Sequence, residues 1–153
     1  MKRENYKLLY LDVDGVLLGR VAPNDIRVCL AEYAREFLEF VLKHFTCFWL
    51  TSHCRNGDSS DVINLLNRYA DTSVIELASS VRPTTWHDIK TEVINPTTDF
   101  YWLDDNPIAE EIRWLELNGA LDRLIWVDTR NRLSDLRNVI TVLEKKLAEE
   151  IEK

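Results

Sequence analysis

Few of the residues that most often staple or loosen a backbone occur in this 153-residue chain: three cysteines, four glycines and four prolines. Cys29, Cys47 and Cys54 are odd in number and form no CxxC pair, which argues against a disulfide framework or a zinc knuckle. The scarcity of glycine and proline, with no biased tract, excludes collagen-like and low-complexity chains. No segment approaches the roughly 18 consecutive apolar residues that a membrane helix needs. MKRENYK has no long apolar region behind its basic residues, so a signal peptide is not expected. Positive charge is also short. The formal net charge is -7 and the pI about 5.0, which disfavours a broad footprint for nucleic acid or anionic lipid. The chain is 46% hydrophobic and 29% charged, enough to bury one core. The expectation is a single cytoplasmic domain over residues 1–153, with no membrane partner.

Periodicity predicts alternating strands and helices. LLYLDV (8–13), TCFWLTS (46–52), SVIEL (73–77), DFYWLDD (99–105) and RLIWVD (123–128) read as strands, with Trp49, Trp102 and Trp126 in the core. Residues 30–45 carry Phe37, Leu38, Val41, Leu42 and Phe45 at helical spacing. Further helices are predicted over 58–69, over 84–94 after Pro83, over 107–118 before Gly119, and from Leu133 onward. The last has the stripe Leu133, Leu136, Ile140, Leu143 and Leu147, suited to packing on its own sheet. Strands apolar on both faces, each followed by a helix, imply an α/β fold with a five-stranded parallel sheet covered on both sides. Ligands of such sheets bind at the carboxyl ends of the strands. Asp12 and Asp14, Thr51 and Ser52, and Asp104 and Asp105 all fall at such ends.

Four acids gathered there would repel one another unless a cation or protons intervened. Oxygen-only ligands favour Mg2+ over zinc or copper, and magnesium commonly shares phosphate oxygens with a substrate. An aspartate can also be a nucleophile that forms an acyl phosphate, with a second acid serving the leaving oxygen and then water. The transferred phosphoryl needs donors and a cation around it. Thr51 and neighbouring amides supply donors; Lys90 is the best-placed cation, with Arg82 as its rival.

The motifs LDVDGV, FWLTS, IKTEV and WLDD, in this order, resemble the haloacid dehalogenase (HAD) superfamily of aspartate-nucleophile phosphohydrolases over about residues 8–130. The resemblance implies a three-layer Rossmann-like fold with strand order 5-4-1-2-3. It also implies Asp12 as nucleophile and metal ligand, and Asp14 as acid/base with its backbone carbonyl on magnesium. Thr51 would bind the phosphoryl oxygens beside Ser52, Lys90 would neutralise the phosphoaspartate, and Asp104 and Asp105 would hold the metal. Val16 stands where members often carry Thr, which weakens kinship with the phosphatases that act on RNA polymerase tails.

The segments where such enzymes insert a cap are too short here for an independent core. A capless phosphohydrolase with an open crevice is expected, acting on a phosphate monoester, small or macromolecular, with nucleic acid only as a phosphorylated end. GRVAPNDIR (19–27) is the candidate flap, with Arg20 and Arg27 able to meet an anion. His53 and Cys54 have the wrong spacing for zinc. The alternatives are a non-catalytic binding or regulatory protein on the same fold, or a phosphotransferase. No residue pattern specifies an oligomer.

Overall fold

The computed structural model describes residues 7–151, so the expected 1–153 boundaries extend past it at both ends. Along the chain, β1 (Lys7–Leu11) leads into a hairpin of β2 (Leu18–Arg20) and β3 (Val28–Leu30), followed by α1 (Ala34–His44) and β4 (Phe45–Trp49). Next come α2 (Ser60–Leu66), α3 (Thr72–Ala78) and a 3-10 turn at Lys90–Val93. The chain closes with β5 (Phe100–Asp104), α4 (Ala109–Leu117), a second 3-10 turn at Leu121–Arg123, β6 (Leu124–Trp126) and α5 (Asp135–Ile151).

The fold is α/β. Its main sheet has four parallel strands in the order β4-β1-β5-β6, with Leu9 opposite both Cys47 and Tyr101. Strand alternation divides the side chains between two cores. Leu9, Leu11, Cys47, Trp49, Tyr101 and Leu103 meet Phe37, Leu38 and Val41 of α1 and Leu136, Val139 and Leu143 of α5. On the other face Tyr10, Phe100 and Trp102 meet Leu115 of α4, Trp86 and Ile94. Burying each such side chain contributes about 1.5–3 kcal/mol. The stripe expected on the last helix faces the first core, with Ile140 and Leu147 partly buried at its margin.

The expected five strands in the order 5-4-1-2-3 are not formed, because SVIEL is helical. Asp71 caps α3, its Oδ1 accepting from Val74 N–H at 3.1 Å and from Ser73 Oγ at 2.7 Å. Val74 and Ala78, four residues apart, are then buried together. A local cap and helical burial overrode the β-branched composition. Beside β4, where a fifth strand would lie, only Arg82 pairs among the described residues: its N–H donates to Cys47 O at 2.9 Å and its carbonyl accepts from Trp49 N–H at 2.8 Å.

The helix expected over 84–94 is absent apart from the 3-10 turn, since this segment spends its backbone groups on a distant loop. Thr84 O accepts from Gly57 N–H at 3.0 Å, Trp86 N–H donates to Arg55 O at 3.0 Å, and the Thr84 hydroxyl donates to Trp49 O at 2.6 Å. Trp49 and Trp102 are buried as expected, but Trp126 is 52% exposed, because the short edge strand β6 ends at that residue.

The flap segment is the antiparallel β2–β3 hairpin, pairing Leu18 with Leu30 and Arg20 with Val28. A Cβ on Gly19 would stand 2.5 Å from Thr129 O, so the hairpin base lies directly against the chain after β6. Arg27 is engaged with Asp25 at 2.7 Å and holds that carboxyl down at about 2. Among the described residues no helix is long and apolar enough to cross a membrane.

Candidate active site

The carboxyl ends of β1 and β5 deliver a compact group of charges. Asp12 follows β1 directly, its N–H donating to Leu103 O at 3.1 Å, so the chain still keeps sheet register there. Its side chain is almost buried: Oδ1 accepts from Val13 N–H at 2.8 Å and Oδ2 from Lys90 Nζ at 3.1 Å. Asp104, the last residue of β5, accepts from Lys90 Nζ at 2.7 Å through Oδ2 and from Asn106 N–H at 2.9 Å through Oδ1. Asp105 accepts from Arg130 Nη1 at 2.6 Å. One carboxylate oxygen from each of Asp12, Asp104 and Asp105 lies within 4.8 Å of the other two.

Burial raises the Asp12 carboxyl above the usual carboxylate range, with Lys90 offsetting only part of the effect. Asp104 is raised by burial and then by Asp12, and Asp105 by burial against the pull of Arg130. Burial works against the Lys90 charge too, but Asp12 and Asp104 outweigh it and hold the amine above its ordinary value. Two buried acids and the partly buried Asp105 thus face two cations, Lys90 and Arg130, and negative charge is left in excess.

Two glutamates deliver Lys90. Glu92 accepts from the backbone N–H groups of His87, Asp88 and Ile89 at 2.9, 2.8 and 2.8 Å, which folds the chain into the 3-10 turn. Glu111, 3% exposed in the first turn of α4, accepts from Lys90 N–H at 2.7 Å and from Ile108 N–H at 2.9 Å. The start of α4 and the base of Lys90 are therefore tied to one carboxylate. Arg82, the rival cation, is exposed and lines a cleft of about 420 Å³ with Leu42, Phe45 and Thr46, at the amino end of β4.

Asp14 departs from the cluster. Gly15, at φ +75°, turns the chain after it, and a Cβ there would come 2.2 Å from Asp105 Oδ2. Only glycine combines the left-handed backbone with that close approach. The Asp14 carboxylate is paired with His53 Nε2 at 2.7 Å. After β4, Thr51 is fully buried, with His53 N–H 3.4 Å from its Oγ1, whereas Ser52 is exposed. Of the two hydroxyls, Ser52 is the one open to a ligand. Cys54 is 1% exposed and its thiol is raised by burial, and burial takes Cys47 to about 12, so neither is set up as a nucleophile.

The structure brings Asp12, Lys90, Asp104 and Asp105 together, sets Asp14 at their edge, and leaves Arg82 apart. Sequence reasoning missed Glu111, Arg130 and the pairing role of His53. Glu111 stands at a capping position three residues after Ile108, a readable sign that it closes a helix start, but its second partner is not local. Arg130 had the weaker signal of following the last strand of the sheet. The three clustered acids offer oxygen donors and excess negative charge, which fits a hard divalent cation without selecting magnesium among them. No family model matches the chain, and no curated protein matches it.

Proposed function

We propose that this chain is a capless phosphohydrolase of the HAD type that uses magnesium and an aspartyl-phosphate intermediate to cleave phosphate monoesters. The observation that carries the proposal is the placing of Lys90 between Asp12 and Asp104, with Asp105 alongside, at the carboxyl ends of two adjacent parallel strands. A structural ion pair would not require three clustered acids, two of them buried, and their raised carboxyls represent strain that a cation relieves. Asp12, Asp104 and Asp105 would hold magnesium, which when bound offsets charge on the phosphoryl oxygens and the carboxylates.

In the first half-reaction an Asp12 carboxylate oxygen forms a bond to phosphorus while the bond from phosphorus to the ester oxygen breaks. The departing oxygen takes a proton from Asp14. Lys90 favours the ionised form of Asp12, orients it, and offsets charge developing at the phosphoryl group. In the second half-reaction water gives a proton back to Asp14 as its oxygen bonds to phosphorus, and the bond to Asp12 breaks. Ser52 and the amides after β4, with Thr51 behind them, would supply donors to the phosphoryl oxygens. A capless site would suit esters that bring their own bulk, a phosphorylated macromolecular end included.

The test is hydrolysis of an aryl phosphate with and without magnesium, using Asp12→Asn as control, and trapping of beryllofluoride in a crystal. Magnesium-dependent turnover lost in Asp12→Asn, with the fluoride complex on Asp12, supports the proposal. Silence across a panel of phosphate esters would replace it with a binding protein built on the same fold.

A further inference from the structure

The second acid of the LDVD run has a partner of its own. Asp14 Oδ2 lies 2.7 Å from His53 Nε2, and the two side chains are 44% and 34% exposed. Both residues sit on backbones fixed by buried neighbours. The turn carrying His53 is closed by Cys54 N–H donating to Thr51 O at 3.0 Å. It is then held from outside, since Trp86 Nε1–H donates to Cys54 O at 3.1 Å. Asp14 is bridged to Leu18, and Gly15 N–H donates to Leu18 O at 2.7 Å. The Asp14 carboxyl group is half-exposed and free to change rotamer unless something holds it.

We propose that His53 is a positioning residue for Asp14. Oδ2 accepts a hydrogen bond both when Asp14 is ionised and when its proton sits on Oδ1, so in the proposed role Nε2–H is the donor to Oδ2 in both states. This leaves Asp14 Oδ1, which has no partner among the described residues, as the oxygen that exchanges a proton with substrate. The ring itself touches neither phosphorus nor ester oxygen in this role. Asp12 is held by Val13 N–H and by Lys90, which Asp104 shares, whereas the Asp14 carboxyl pairs with a single side chain 39 residues further along the chain.

The inference rests on the proposed function, and the experiment separates the two. In a phosphoryl transfer of this kind kcat/KM covers the steps through departure of the alcohol. A nitrophenolate leaves readily without a proton, whereas an alkoxide needs one from Asp14. His53→Ala is therefore expected to lower kcat/KM for an alkyl phosphate at least about tenfold more than for 4-nitrophenyl phosphate. His53→Gln, whose amide can still donate to the carboxylate, is expected to recover most of that selective loss. Added to Asp14→Asn, His53→Ala should have no further effect on the alkyl ester.

Equal losses for the two esters, failure of Gln to rescue, or additive losses in the double variant would overturn the positioning role while leaving the phosphohydrolase intact. Retained turnover in Asp12→Asn would instead sink the proposed function. Crystal structures of the wild-type protein and His53→Ala decide the point without turnover: the Asp14 carboxyl is expected to spread over more than one rotamer in the variant, and an unchanged single rotamer would refute its dependence on His53.

Discussion

Asp12 and Asp14 leave the same strand two residues apart and enter different surroundings. The inner acid is 7% exposed and shares Lys90 with Asp104, in a group tied down by buried backbone donors. The outer acid is 44% exposed in its side chain and leans on one histidine. Dense packing around the inner group holds charge in place at a cost in desolvation, and every member depends on the others. The outer pair keeps its water, and with it the freedom to exchange protons. A nucleophile suits the first setting and an acid/base the second. The contrast teaches that two acids two residues apart can meet different surroundings, one packed against Lys90 and Asp104 and the other paired with His53 nearer the surface.

The largest expected effect tests that division directly. Asp12→Asn should lower turnover about a thousandfold or more, about 4 kcal/mol of barrier, by a similar factor for every ester. Asp14→Asn should cost about a hundredfold or more on alkyl esters and much less on aryl esters in kcat/KM. Steady-state kinetics over a series of leaving groups checks both, and parallel losses in the two variants would erase the distinction.

Next in size is the stability contrast. Lys90→Ala leaves the buried Asp12 and Asp104 and the partly buried Asp105 with Arg130 alone, and should cost about 2–4 kcal/mol in chemical denaturation without added metal. His53→Ala, at a half-exposed pair, should change stability by less than about 1 kcal/mol. Similar losses in the two variants would mean that the inner group is not the more tightly coupled one.

Gly15 separates the two regions. Gly15→Ala adds a left-handed alanine, about 1–2 kcal/mol, and pushes on the Asp105 side chain. Thermal unfolding should show that loss, and titration with magnesium should show weaker binding, whereas a variant with unchanged metal affinity would mean that Asp105 gives way freely.

The smallest effect concerns pH. Asp12, Asp104 and Asp105 have raised carboxyls in the folded state, so the folded protein binds more protons than the unfolded chain between the ordinary carboxylate range and those raised values. The slope of stability with pH is therefore negative there: their contribution is present at low pH and is lost as pH rises through the window. A divalent cation at about five times its Kd should return about 1 kcal/mol near neutrality and less in acid, where protons compete. Unfolding followed by calorimetry at several pH values checks this, and an equal gain at all pH values would show that the cation binds elsewhere.

The parts of the fold that were legible in the sequence rest on short-range patterns. Apolar runs of strand length marked the four strands of the sheet, and helical spacing marked α1 and α5, with Phe37, Leu38 and Val41 buried as their spacing requires. SVIEL misled because a five-residue window is too short to separate β-branched strand from helix, and the signal that decides it, Asp71, stands outside the window. Residues 84–94 misled for a different reason, since their backbone partners lie about 30 residues away in the loop after β4.

The sequence alone determined which acids stand at strand ends, that glycine follows the second of them, and that charge there would need a counterion. Those features depend on neighbours a few residues apart, where the periodicity of the backbone dictates direction. Only the tertiary structure decided that Lys90 and not Arg82 meets Asp12 across 78 positions, that Glu111 and Arg130 support the group, and that Asp14 belongs to His53. Contacts of that range are set by strand order and by which loops trade backbone hydrogen bonds, quantities that no local pattern of residues encodes by itself.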